Sequence, residues 1–232
     1  MLYFRGSENN LVSILNKYRG FFIPYLIFLL LAGAFILIYT REETHIILNQ
    51  FLTPWLNVFF KYYTHLGDGM MLFTISIILL FIRFRYAFFL GITGIVSGLF
   101  TNFLKNYFFD DVDRPYFYFR YYYQGDFNPE LVLPESAMNI HHSFPSGHTT
   151  GAFCLFVGIM FIVNKSNRAW VFFVLAFLGG YSRVYLSQHF LVDIYVGSLI
   201  GTVTSVVGWY LFEKIDSKGN IKWWNKSLLR LK

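Results

Sequence analysis

Three polar clusters interrupt an otherwise apolar chain. Lys105 is followed by Arg114-Pro115, then comes Pro145-Ser146-Gly147-His148, and last Ser182-Arg183 with His189 and Asp193. Three cations, two of them guanidiniums, can surround a tetrahedral dianion, and arginine offers paired donors without losing its charge at ordinary pH. The glycine of the second cluster lets backbone approach a ligand closely. It stands where an apolar run begins, and free N–H groups at a helix start favour an anion. Two histidines offer a nucleophile and a proton donor. His189 and Asp193 are four residues apart and share one helical face. The carboxylate can then accept from one imidazole nitrogen and leave the other unprotonated and aimed outward. Singly, each of these residues is more often structural than catalytic. As a set they are hard to ascribe to chance, and an aspartate inside an apolar helix is costly enough to mark function or a specific partner.

The elements that must position these residues follow from composition. The chain has 232 residues, 56% hydrophobic and 14% charged, with a mean hydropathy of +0.47. A soluble domain of this size could not cover its surface with so few polar groups. The expectation is an all-α integral membrane bundle, one domain over residues 8–232. Met1–Ser7 reads as a linker remnant and is set aside. Glu8 to Gly20 is polar, so no cleavable secretory signal is expected. Six apolar runs approach or exceed the roughly 20 residues a spanning helix needs: Phe21–Tyr39, Leu66–Ile82, Tyr86–Tyr107, Gly147–Val163, Ala169–Tyr185 and Phe190–Phe212. Between the first two, Arg41–His65 mixes charge with Ile46, Phe51, Trp55 and Phe59 at roughly helical spacing. It reads as one or two helices lying at the outer interface.

Six crossings put both termini on one side. That side carries 13 lysines and arginines (12 without Arg5), and the other carries 6: Arg41, Lys61, Lys105, Arg114, Arg120 and Arg183. Positive residues collect in the cytoplasm, so both termini are expected there. In a soluble chain the net charge of +6 would raise nucleic acid as a partner. Here topology accounts for it, and contact with anionic lipid can add to it. All three polar clusters then fall at the outer face. The lone Cys154 reads as a small core residue, and the Asn164 and Asn225 sequons lie on the cytoplasmic side. Gly94/Gly98, Gly147/Gly151 and Gly197/Gly201 are four apart, a signal for close helix packing. The aromatic tract Tyr116–Tyr123 reads chiefly as an interfacial belt.

The motifs resemble those of a known family. P-S-G-H at 145–148 and S-R-x5-H-x3-D at 182–193 are similar to the second and third signatures of the type 2 phosphatidic acid phosphatase (PAP2) superfamily, membrane branch. The first signature is K-x6-R-P; here eight residues separate Lys105 from Arg114-Pro115, two more than in the family. The resemblance implies that His189 attacks phosphorus and becomes a phosphohistidine, with Asp193 orienting it. It implies that His148 protonates the leaving oxygen and then activates water. Lys105, Arg114, Arg183, Ser146 and the Gly147 amide would hold the phosphoryl oxygens. No metal and no cofactor are needed in that family, and cations stand where a two-metal site would want carboxylates.

The expected activity is therefore metal-independent hydrolysis of a lipid phosphate or lipid pyrophosphate. An alternative keeps the site and passes the phosphoryl group to an alcohol acceptor. A third, a transporter, fits poorly, because the charges cluster at one face and do not line a path. The expected setting is a bacterial inner membrane, with the site facing periplasm or exterior. The expected partners are a lipid phosphate substrate and membrane lipids; the sequence fixes neither which lipid nor the oligomeric state. His141, His142, Glu135 and Asp110–Asp113 match no signature and read as loop residues, with substrate contact or headgroup selection as the other reading.

Overall fold

A computed structural model describes residues 10–217, 219, 221 and 223–230. The segment Met1–Ser7 and the cations Arg5, Lys218, Lys222 and Lys232 used in the charge count lie outside the described residues, as does the side chain of Arg230. Among the described residues the regular elements are all helices, with no strand, and a largely irregular stretch at 122–146 separates α7 from α8. Two helices come first, α1 (Leu11–Lys17) and α2 (Arg19–Ile38). They are followed by α3 (Arg41–Leu48), α4 (Pro54–Tyr63), α5 (Gly69–Leu80), α6 (Phe84–Phe108) and α7 (Pro115–Tyr121). The chain ends in α8 (Gly147–Val163), α9 (Ala169–Tyr185) and α10 (Leu191–Ser217).

Local chemistry sets most of these ends. Thr40 and Glu43 form a reciprocal capping box that starts α3. Pro54 opens α4 at a position where its missing N–H costs nothing. Ser146 caps α8, and Asn164, at φ 55°, ends it in the left-handed conformation.

The protein is an integral membrane protein. Among the described residues, α2, α6 and α10 are long and apolar enough to cross a bilayer. Their outer faces expose large apolar side chains such as Leu30, Leu31, Ile95 and Leu99, a surface suited to lipid. The runs expected at Gly147–Val163 and Ala169–Tyr185 are the observed α8 and α9. At 17 residues each they rise only about 26 Å. The run expected from Leu66 to Ile82 differs. It is broken at Asp68, and the segment Pro54–Gly67 meets Gly69–Leu80 at a 60° bend. Gly67 and Gly151 explain the position of the bend. A Cβ on Gly67 would strike the His148 carbonyl, and one on Gly151 would strike the Gly67 carbonyl. Two glycines thus seat the bend directly on the first turn of α8.

Helix α8 is the axis of the bundle, buried along most of its length from Thr149 to Phe161. It packs on α9, α10, α6 and the turn around Gly67. Gly197 and Gly201 of α10 allow backbone contact with α8; a Cβ on Gly197 would lie 2.7 Å from the Ser146 carbonyl. The chain thus sets the start of α8, the start of α10 and the end of α9 against one another.

Candidate active site

Asp193 lies in the first turn of α10 and is buried, as is His189 just before the helix. Asp193 Oδ2 is 3.1 Å from His189 Nδ1. The same oxygen accepts from the Phe190 amide at 2.9 Å and from the Ser143 hydroxyl at 2.5 Å. Ser143 Oγ also sits 3.4 Å from His189 Nδ1. The imidazole is therefore pinned through Nδ1, which leaves Nε2 as its reactive nitrogen. Burial holds His189 well below the usual histidine range, and the charges of Arg114, Lys105, Arg183 and His148 push the same way. An imidazole so placed stays neutral, as a nucleophile must be.

The three cations close around it. Arg183, in the last turn of α9, donates from Nη1 to Thr64 Oγ1 at 2.7 Å and from Nη2 to Gln188 Oε1 at 3.3 Å. Arg114, just before α7, donates from Nε to the His141 carbonyl at 3.0 Å and from Nη1 to Gln188 Oε1 at 3.2 Å. Burial lowers the Arg114 guanidinium to about 10, opposed by Asp193, so it keeps its charge at neutral pH. Lys105, near the end of α6, donates to the His142 carbonyl at 2.7 Å. The three use neutral acceptors, and among the described residues none makes an ion pair with a carboxylate. A buried cation whose bonds go to neutral oxygens keeps its full field for an incoming anion.

His148 stands in the first turn of α8, its Nε2 4.0 Å from Asp68 Oδ2. Ser146 and Gly147 precede it. The Ser146 hydroxyl accepts from the Thr149 amide at 3.3 Å and from Thr149 Oγ1 at 2.9 Å, so it is engaged as a helix cap. A Cβ on Gly147 would meet nothing closer than Thr101 Cγ2 at 4.0 Å. Glycine there borders open space and does not relieve a clash. The structure thus brings all eight residues singled out in the sequence to one end of the bundle.

Four further residues belong to this cluster and went unnoticed in the sequence. Thr64 and Asp68 come from the bend before α5 and face Arg183 and His148. Ser143 supports Asp193, and Gln188 bridges Arg114 and Arg183. Gln188 lies inside the variable stretch between Arg183 and His189, and Ser143 lies two residues before P-S-G-H. Proximity to the motifs was their only signal. Thr64 and Asp68 had none.

Two cavities adjoin the cluster. A polar cleft of about 560 Å³ is lined by Asn102, Lys105, Asn106, Arg114 and the Met138–His142 segment. An apolar groove of about 440 Å³ runs between α5 and α6, past Leu72, Ser76, Gly91, Ile95 and Gly98, up to Gly147 and Thr150.

The chain is similar to known proteins. A model of the PAP2 superfamily matches residues 84–217. The chain is 30% identical over 132 residues to the undecaprenyl-diphosphatase BcrC of Bacillus subtilis (strain 168), a match covering 57% of this chain and 59% of that one. It is 33% identical over 101 residues to phosphatidylglycerophosphatase B of the same strain, covering 38% and 48%. The chain therefore spans about half the length of these curated relatives. A crystal structure of LpxE from Aquifex aeolicus superposes with a TM-score of 0.60 at 30% identity, over 72% of this chain and 93% of that one.

Proposed function

This chain belongs to the PAP2 superfamily, and from that premise we propose that it is a membrane phosphatase hydrolysing a lipid phosphate or lipid diphosphate through a phosphohistidine. The observation that carries the reading is the junction at Gly147. On one side lies a cationic cup around a neutral, oriented imidazole; on the other, an apolar groove ends at the same residue. An amphiphile with an anionic head and a hydrocarbon tail fits that pairing.

The chemistry follows from the contacts. With Nδ1 held by Asp193, His189 Nε2 attacks phosphorus. The bond to the leaving oxygen breaks, and His148 supplies that oxygen's proton. Water then attacks the phosphohistidine and gives its proton to His148, releasing phosphate and restoring His189. Lys105, Arg114, Arg183 and the free Gly147 amide stabilise the oxygens as charge builds. Ser146 contributes chiefly by holding the first turn of α8 in place.

The topology completes the reading. Residues 8–232 form one domain. The chain crosses the membrane six times, through α2, the run from the bend at Asp68 to the end of α5, α6, α8, α9 and α10, with α3 and α4 at the outer interface. Both termini are cytoplasmic, and the site faces the exterior of a bacterial inner membrane. The substrates printed in the names of the relatives, an undecaprenyl diphosphate and a phosphatidylglycerophosphate, both belong to the proposed class.

The test is phosphate release from a panel of lipid phosphates and diphosphates by the purified chain in detergent, with EDTA throughout. At least one lipid should be turned over. His189→Ala should lower that rate by about a thousandfold or more while elution and thermal unfolding stay unchanged. Wild-type turnover in His189→Ala, or an inert wild type, would overturn the reading.

A further inference from the structure

The cup accounts for one phosphate. It does not account for the polar cleft beside it, which shares Lys105 and Arg114 with the cup and is lined otherwise by residues of α6 and of the 138–142 segment. Asn102, Lys105 and Asn106 stand at i, i+3 and i+4 on α6, so one helical face carries a cation flanked by two amides. Opposite them stand Asn139, His141 and His142. Among the described residues, the side chains of Asn102, Asn106 and Asn139 make no hydrogen bond with the protein. His141 is held by Asp113 through Nδ1 at 2.8 Å. That bond leaves Nε2 as the nitrogen available to the cleft, and it keeps the Asp113 carboxylate off the wall. The polar part of the lining is therefore cations, amides and imidazoles, with no carboxylate, beside the apolar Met138 and Ile140.

We propose that this cleft binds the second phosphate of a lipid diphosphate, with Asn102 and Asn106 as its hydrogen-bonding residues, so that a diphosphate is preferred over the corresponding monophosphate. The inference rests on the phosphatase reading above. When the terminal phosphate sits in the cup, the group joined to it is one bridging oxygen away from Lys105 and Arg114. A second anion gains there from both cations and from unspent amide donors. A headgroup carrying an amine would meet cations and no counter-charge. A glycerol could use the amides but not the field. The reaction balances without a further reactant. His189 takes the terminal phosphoryl group, the bridging P–O bond breaks, and the lipid monophosphate leaves with the proton from His148. Water then frees inorganic phosphate from His189.

The experiment uses the full chain in detergent and the monophosphate and diphosphate of one isoprenyl alcohol, so that the tail is constant. The wild type should show the higher kcat/KM on the diphosphate. The double variant Asn102→Ala/Asn106→Ala should lose about tenfold or more on the diphosphate and change less than about threefold on the monophosphate. Both asparagines are exposed, so the substitution leaves the packed core intact. A wild type that prefers the monophosphate, or a double variant that slows both substrates alike or neither, would overturn this assignment and leave the phosphatase reading standing. A wild type inert toward both isoprenyl lipids but active on another lipid phosphate would overturn this assignment alone; one inert across the whole lipid panel would overturn the two together.

Discussion

Buried arginine occurs at both ends of this bundle, in opposite company. At the end remote from the site, Arg85 of α6 forms a salt bridge with Glu213 and another with Asp216 at 2.7 Å. Its guanidinium also lies 5.5 Å from the Trp209 ring. Asp216 in turn accepts from Trp224 Nε1 at 2.9 Å, which ties the segment after α10 to the bundle. At the other end, Arg183 and Arg114 are as deeply buried but bond to a threonine hydroxyl, a glutamine side chain and main-chain carbonyls. In the first arrangement two carboxylates neutralise one cation through its two terminal nitrogens, and only its Nε is left without a partner. The second has no carboxylate bonded to its cations; Asp193 and Asp68 act on Arg114 and Arg183 only from a distance, so positive charge is in excess until an anion arrives. On the proposed reading the same residue type is a staple in one place and a receptor in the other, and only its partners distinguish them.

That contrast predicts opposite effects of the same substitution. The largest should come from Arg183→Ala. Removing one donor aimed at developing charge costs about 10²–10³ in kcat. Its loss strands no carboxylate, so thermal unfolding in detergent should shift little. A large drop in unfolding temperature with activity per folded molecule preserved would make Arg183 a structural residue and erase the contrast.

Arg85→Ala should do the reverse. It leaves Glu213 and Asp216 without their cation. Their side chains are 29% and 30% exposed, so solvent softens the loss. A destabilisation of about 2 kcal/mol is expected, below the figure for fully buried pairs. Turnover by the folded fraction should be unchanged. A fall in kcat without a fall in stability would contradict this.

The smallest effect is on pH dependence. Burial and the surrounding cations hold His189 well below 6.5, so the acid limb of kcat/KM that it sets should lie well below that value. Arg114→Gln removes one of those charges. The protonated imidazole then becomes less unfavourable, its pKa rises, and the acid limb should move toward neutral pH relative to the wild type. Comparing the two on one substrate cancels the titration of the substrate itself. A limb that stays put or moves to lower pH would show that Arg114 does not act on His189.

Much of this molecule is legible along the chain. Runs at Gly147–Val163 and Ala169–Tyr185 give α8 and α9 to the residue, because apolar stretches bounded by Ser146, Asn164 and a charged turn carry their own start and stop signals. The signature residues are legible for a related reason: the His189–Asp193 spacing is a helical turn, a purely local property. The hydrophobic pattern passes over the bend at Asp68, although Asp68-Gly69 is a turn dipeptide and Asp68 the N-cap of α5; the angle of the bend is not legible. It follows from two glycines, Gly67 and Gly151, that meet only when distant segments pack.

What the sequence alone determined was which apolar segments are helices and which residue types wait at their ends, since hydrophobic length, caps and one-turn spacings are short-range quantities. Tertiary structure decided how the buried polar groups are partnered. It made Ser146 a cap, Ser143 and Gln188 supports, and Thr64 and Asp68 neighbours of the cup, and it left Asn102 and Asn106 unspent. The physical reason is that a buried donor must take whatever acceptor packing brings within about 3 Å, and that choice belongs to segments far apart in the chain.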